Sequence, residues 1–182
     1  MRRSSKWVTG FAVCAGLFIV GFESIPALNR WRNSDQRNPW CASRIKQLGN
    51  AILIYANEHE GRYPNRLTDF IGNGVEAAIF ICPSSSDEVA PGKTPAEQAA
   101  NIEARGFHAG LHDSAKSPGY YCSYIYLGQG LVAPVSPDRI IMYEPLSDHG
   151  GIGSNVLFGD GHVDWLQRDD VERRLTEQMK GK

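Results

Sequence analysis

NVLFGDGHVDWL, residues 155–166, sets two short β-prone runs on either side of Gly159-Asp160-Gly161. Glycine and aspartate accommodate tight-turn backbone angles, so the stretch reads as an antiparallel hairpin. Two more β-prone segments lie upstream, Tyr120 to Leu127 and Arg139 to Tyr143, separated by Gly, Pro and polar residues. With Asn155 to Phe158 and His162 to Leu166 they predict a small antiparallel sheet. Downstream, Asp169 or Asp170 can cap a helix through VERRLTEQM, in which Val171, Leu175 and Met179 recur every four residues. Upstream, Cys41 to Asn57 carries Ile45, Leu48, Ile52 and Tyr55 at helical intervals, with Arg44 and Lys46 on another face. An amphipathic helix packed on an antiparallel sheet, followed by a C-terminal helix, makes the fold class α+β.

The chain has 182 residues, 42% hydrophobic and 21% charged, enough for one core and an appendage. Nineteen basic residues against 20 acidic ones leave a net charge of −1, which argues against a broad nucleic-acid surface. The appendage is N-terminal. Met1-Arg2-Arg3-Ser4-Ser5-Lys6 precedes an uncharged run from Trp7 to Phe22, closed by Glu23. As a helix that run covers about 24 Å; extended through Leu28 it reaches about 33 Å, sufficient for a bilayer core. The basic start keeps the N-terminus cytoplasmic and sends the remainder across the membrane. A cleaved secretory peptide has the same order, but Ile25-Pro26-Ala27 lacks the small residue that a cleavage site wants; a lipid on Cys14 is opposed by Val13. The expected layout is a basic start and anchor over 1–28, a polar linker over 29–40 that Pro39 interrupts, and an exported domain over 41–182. Within that domain, 84–118 is expected as an exposed insertion with a helix capped by Thr94 at its centre. Gly61 and Pro64 predict a loop before a short helix containing Leu67 and Phe70, and Ala78 to Cys82 reads as a strand.

Export places Cys41, Cys82 and Cys122 in an oxidising compartment. A Cys82–Cys122 disulfide would tie the ends of the insertion together, with Cys41–Cys82 as the alternative; no C-x-x-C spacing points to zinc. His149, Asp160 and His162 are weak candidates for a metal site. Imidazole and carboxylate can coordinate together, but the hairpin itself explains Asp160 and Gly161, and His149 can serve a loop hydrogen bond. His108 and His112 are four apart without the glutamate of H-E-x-x-H, among glycines that favour a surface loop. Ser84-Ser85-Ser86 has no G-x-S-x-G elbow around it. Tyr120, Tyr121, Tyr124 and Tyr126 could stack on an envelope polysaccharide, although alternation lets most of them pack the sheet, and Trp165 can finish the core.

The apolar N-terminal helix, PALNRWR at 26–32, CASRIKQLGNAILIYANEHEGRYP at 41–64, FICPS at 80–84 and NVLFGDGHVDWL at 155–166 together resemble the bacterial type IV pilin-like and type II secretion pseudopilin-like family. The likeness is to its branch with a C-terminal H-x-DG signature, carried here by His149, Asp160, Gly161 and His162. It covers nearly the whole chain outside the 84–118 insertion. The resemblance implies a membrane-borne helix carrying a small exported α+β head, assembly through helix packing, no catalytic residues and no cofactor. It implies the membrane and other pilin-like subunits or secretion-system proteins as partners, in the bacterial inner membrane. Gly10-Phe11 is followed by Ala12, Val13, Cys14 and Ala15 with no early acidic residue, which departs from the family's processing site and favours a permanently anchored form. Two other functions compete: an anchored polysaccharide-binding module, and a metal-dependent envelope enzyme using His149, Asp160 and His162.

Overall fold

A computed structural model of the protein describes residues 37–113 and 119–181. The segment expected to anchor the chain, Trp7 to Phe22, and most of the expected linker lie outside the described residues. Among the described residues no helix is long and apolar enough to cross a membrane.

Helix α1 spans Pro39–Glu58, α2 Pro95–Arg105 and α3 Arg168–Lys180. Strands β1 Ile125–Tyr126, β2 Ile140–Tyr143, β3 Gly153–Phe158 and β4 Val163–Gln167 pair antiparallel in sequence order. The protein is therefore α+β, with α1 on the sheet as its period requires. Helix α1 begins two residues before the expected start. Pro39 occupies its first turn, where the missing N–H would be unpaired in any case, and Asn38 Oδ1 accepts from Trp40 N at 3.0 Å. Thr94 caps α2 by accepting from Glu97 N, as its sequence predicts.

Both faces of the sheet are covered, and β3 shows it most directly: all six of its residues are buried. Leu157 joins Ile45, Leu48 and Ile52 of α1 in one cluster, whereas Val156 and Phe158 join Val171 and Leu175 of α3 in another. Alternation along the strand sends its side chains to two different helices. A bulge in β2 assists. The register slips between Ile140 and Met142, so Ile141 and Met142 both serve the α1 cluster while Ile140 and Tyr143 serve the α3 cluster. Helix α1 can approach β3 closely because position 49 is glycine: a Cβ there would stand 2.5 Å from Leu157 Cδ1.

Several expectations are corrected. Ala77–Phe80 is a 3₁₀ turn, not a strand, and Tyr120 to Leu127 pairs only at Ile125 and Tyr126. The rest of that run is held against the turn by Ser123 N donating to Phe80 O at 2.8 Å and Cys82 N donating to Ser123 Oγ at 3.0 Å. The 84–118 region is not simply exposed, since Ala90, Ile102 and Leu111 are buried in the two clusters. Helix α3 starts at Arg168 without a side-chain cap, with Asp169 and Asp170 in its first turn, and Met179 is 66% exposed.

Gly49→Leu should lower stability by about 1–3 kcal/mol, because the added side chain must displace Leu157 from a filled core. Urea unfolding of the full chain, followed by tryptophan fluorescence, measures this. An unchanged midpoint would contradict the close contact of α1 with β3.

Candidate functional site

The connection between β2 and β3 is built from buried polar residues. Glu144 follows the last residue of β2, a 3₁₀ turn covers Leu146–His149, and Gly150 takes a left-handed conformation, φ +62°, that returns the chain to β3. Glu144 is fully buried. Its backbone is clamped by Ser154, whose Oγ accepts from Glu144 N at 3.1 Å and donates to Glu144 O at 2.8 Å. Its carboxylate Oε2 accepts from Asn155 Nδ2 at 2.7 Å and lies 2.7 Å from His149 Nε2, while Oε1 is buried with no hydrogen-bond partner. Burying such a group costs several kcal/mol unless its charge is compensated. The imidazole of His149 meets Trp165 edge to face, ring centroids 5.0 Å apart; Trp165 is half-buried and covers the imidazole without joining either apolar cluster.

Two cysteines complete the cluster. Cys41 stands in the first turn of α1 and Cys82 just past the 3₁₀ turn Ala77–Phe80, and both are fully buried. Cys82 Sγ is 3.9 Å from His149 Nε2 and accepts from Ser84 N at 3.4 Å; Cys41 Sγ lies 3.5 Å from Ser84 Oγ. One donor atom from each of Cys41, Cys82, Glu144 and His149 falls within 4.8 Å of the other three. The hydrogen bond from Cys82 favours the Cys41 thiolate and brings its pKa to about 7 against the opposing effect of burial. That same bond, burial and the nearby Glu144 push the Cys82 thiol upward. Burial and Glu144 also raise the Asp148 carboxyl to about 8. Chemically this is a soft and hard donor set with an imidazole between, closed off from solvent.

The expected site residues separate. His149 belongs to the buried cluster, whereas Asp160 and His162 sit on the exposed β3–β4 turn, where His162 Nδ1 is 2.5 Å from Asp160 Oδ1. The set His149, Asp160 and His162 is therefore not one site; His149 has Cys41, Cys82 and Glu144 as its neighbours. Gly161 in the same turn has φ +86° and carries the local geometry that its sequence signals. Cys82–Cys122 is not a disulfide, for Cys41, Cys82 and Cys122 are free. The segments do meet, but Cys122 Sγ points to Tyr124 O at 3.6 Å while Cys82 Sγ faces His149. The ends of the inserted region are joined by hydrogen bonds instead. Burial raises the Cys122 pKa to about 12.

His108 and His112 do not form a pair. His108 is buried, with Nε2 3.0 Å from Asp87 Oδ2, and His112 is exposed beside Glu172. Tyr124 is buried in the α1-side cluster and Tyr126 Oη donates to Pro64 O at 3.0 Å, so the tyrosines are not one exposed stacking platform. No family model matches this chain, and no curated protein or solved structure matches it either.

Glu144→Ala should destabilise the protein by about 3 kcal/mol or more, because it strips the partner from the buried Asn155 amide and His149 imidazole. Asp160→Ala should leave the unfolding midpoint nearly unchanged, since its histidine partner is in water. Parallel denaturation curves test the contrast, and equal losses would place the two carboxylates wrongly.

Proposed function

We propose that this chain is a non-enzymatic, membrane-anchored, pilin-like component of an envelope assembly or type II secretion-like system. Its mechanism is association. The basic start and the apolar run from Trp7 hold it in the inner membrane, and the α+β head lies on the far side. One observation carries the reading: α1, 20 residues long and starting shortly after the apolar region, is buried along a single stripe against an antiparallel sheet. That arrangement suits a subunit in which the helix after the linker forms the spine of the head.

The opposite side of α1 is left for partners. Trp40 is 71% and Ile54 58% exposed, and an open groove beside Ile54 is bordered by Tyr55, Phe70, Val75 and Ile79. Exposed apolar groups on a helix adjoining a membrane segment suit packing against neighbouring helices. The polysaccharide alternative draws no support from the tyrosines, which mostly pack inward. The envelope-enzyme alternative loses its site, because His149 is buried apart from the exposed Asp160–His162 pair.

A photo-crosslinking amino acid in place of Trp40 or Ile54, in cells, should capture other pilin-like subunits and leave the chain in the membrane fraction with its N-terminus intact. Mass spectrometry of the crosslinked bands identifies both. Recovery of a soluble chain lacking its first twenty or so residues (about the length of an apolar segment) would defeat the proposal, as would exclusive capture of proteins outside such assemblies.

A further inference from the structure

We propose that Cys41, Cys82, Glu144 and His149 hold a zinc ion as a closed, structural four-ligand site that pins the start of α1 to the β2–β3 connection. The donors come from three chain segments: the first turn of α1, the second residue past the 3₁₀ turn Ala77–Phe80, and the loop joining β2 to β3. Each is fully or almost fully buried. Their donor atoms all lie within 4.8 Å of one another. Around a tetrahedral zinc, with bonds of about 2.0–2.3 Å, ligand atoms stand roughly 3.2–3.8 Å apart. The Cys82 Sγ to His149 Nε2 distance of 3.9 Å needs almost no adjustment, and the 2.7 Å between His149 Nε2 and Glu144 Oε2 must open by about half an ångström.

The surroundings fit metal-bound thiolates. Ser84 N donates to Cys82 Sγ two residues back along the chain, at 3.4 Å, and the Ser84 hydroxyl is 3.5 Å from Cys41 Sγ. Such N–H and O–H donors orient and stabilise coordinated sulfur. Cys41 lies in the first turn of a long helix, where the partial positive charge of unpaired amides favours a thiolate. Arg44, one turn on, donates to Ala78 O at 2.9 Å and Ile81 O at 2.6 Å, fixing a cation next to the Cys82 segment. Glu144 supplies an independent sign: its Oε1 is fully buried yet accepts no hydrogen bond, although its second oxygen is saturated by Asn155 and His149. A dication compensates that carboxylate.

Two thiolates, one imidazole and one carboxylate match zinc better than magnesium or calcium, which take all-oxygen sets. On binding, each thiol loses its proton to solvent and His149 binds as neutral imidazole through Nε2. All four residues are buried, as a closed structural site with four protein ligands requires. The rival use of the same atoms is a Cys41–Cys82 disulfide, which would remove both sulfur ligands.

The test uses the full-length chain, extracted in detergent without chelator after growth in zinc-supplemented medium. Elemental analysis should find about one zinc ion per chain. A mercurial reagent should release it together with two thiols, and cobalt added to the chelator-stripped, reduced protein should give thiolate-to-cobalt charge-transfer and tetrahedral d–d bands. Cys82→Ser and His149→Ala should lose the metal on gel filtration; Cys122→Ser and His162→Ala should keep it. If the ligand variants fail to fold, the cobalt spectrum of the wild-type chain decides. A folded, reduced chain that takes up neither zinc nor cobalt overturns the proposal. So does a Cys41–Cys82 disulfide in the chain isolated from its own compartment, or a metal content indifferent to Cys82→Ser.

Discussion

Everything in this head depends on β3 being covered from both sides. A six-residue strand with every position buried can be stable only if its two faces are each met by an apolar helix, and the fold supplies α1 to Leu157 and α3 to Val156 and Phe158. Gly49 is the point at which that arrangement is decided. With any side chain there, α1 would have to lift off Leu157, and the cluster of Ile45, Leu48 and Ile52 would lose its floor. The bulge in β2 is the matching adjustment on the neighbouring strand, since it lets one short run, Ile140 to Tyr143, serve both layers.

Covering both faces has a cost in polar groups. Although Ser147 and Gly150 on the β2–β3 connection are exposed, Glu144, Asp148, His149, Ser154 and Asn155 are buried and so removed from water. Ser154 and Asn155 answer most of the demand by bonding Glu144's backbone and carboxylate. What they leave over is one carboxylate oxygen, an imidazole nitrogen shared with that carboxylate, and two thiols. Buried groups of this kind are tolerated when something of opposite charge lies among them.

Much of the architecture was legible because it is local. The 3.6 period of Ile45, Leu48 and Ile52 marks α1, and the Gly159-Asp160-Gly161 turn marks the β3–β4 hairpin. Where reading failed, the missing information was tertiary or positional. The apolar run Ala78 to Cys82 could be strand or helix by period alone, and it became a 3₁₀ turn because the Tyr120–Leu127 run bonds it at single points without forming a ladder. Pro39 reads as an interruption of a linker, yet at the first turn it starts a helix. The cluster around His149 was not legible at all. Cys41, Cys82 and Glu144 have no fixed spacing to His149, and the nearer histidine and aspartate of the hairpin offered a more obvious partner set that the turn geometry holds in solvent.

The cluster stands where α1 begins. The first turn of any helix is its least stable part, because its N–H groups lack intrahelical partners. In this chain that turn carries Cys41, one of the four residues of the buried cluster. Asn38 accepts from Trp40 N through its side chain and from Cys41 N through its carbonyl, and a single hydrogen bond contributes about 1 kcal/mol. A zinc tie from Cys41 to Cys82 and to the β2–β3 connection would join that turn to β3, which is packed in both apolar clusters. A cross-link at the entrance of α1 would add more than one in the already packed centre around Gly49, because a helix frays from its ends.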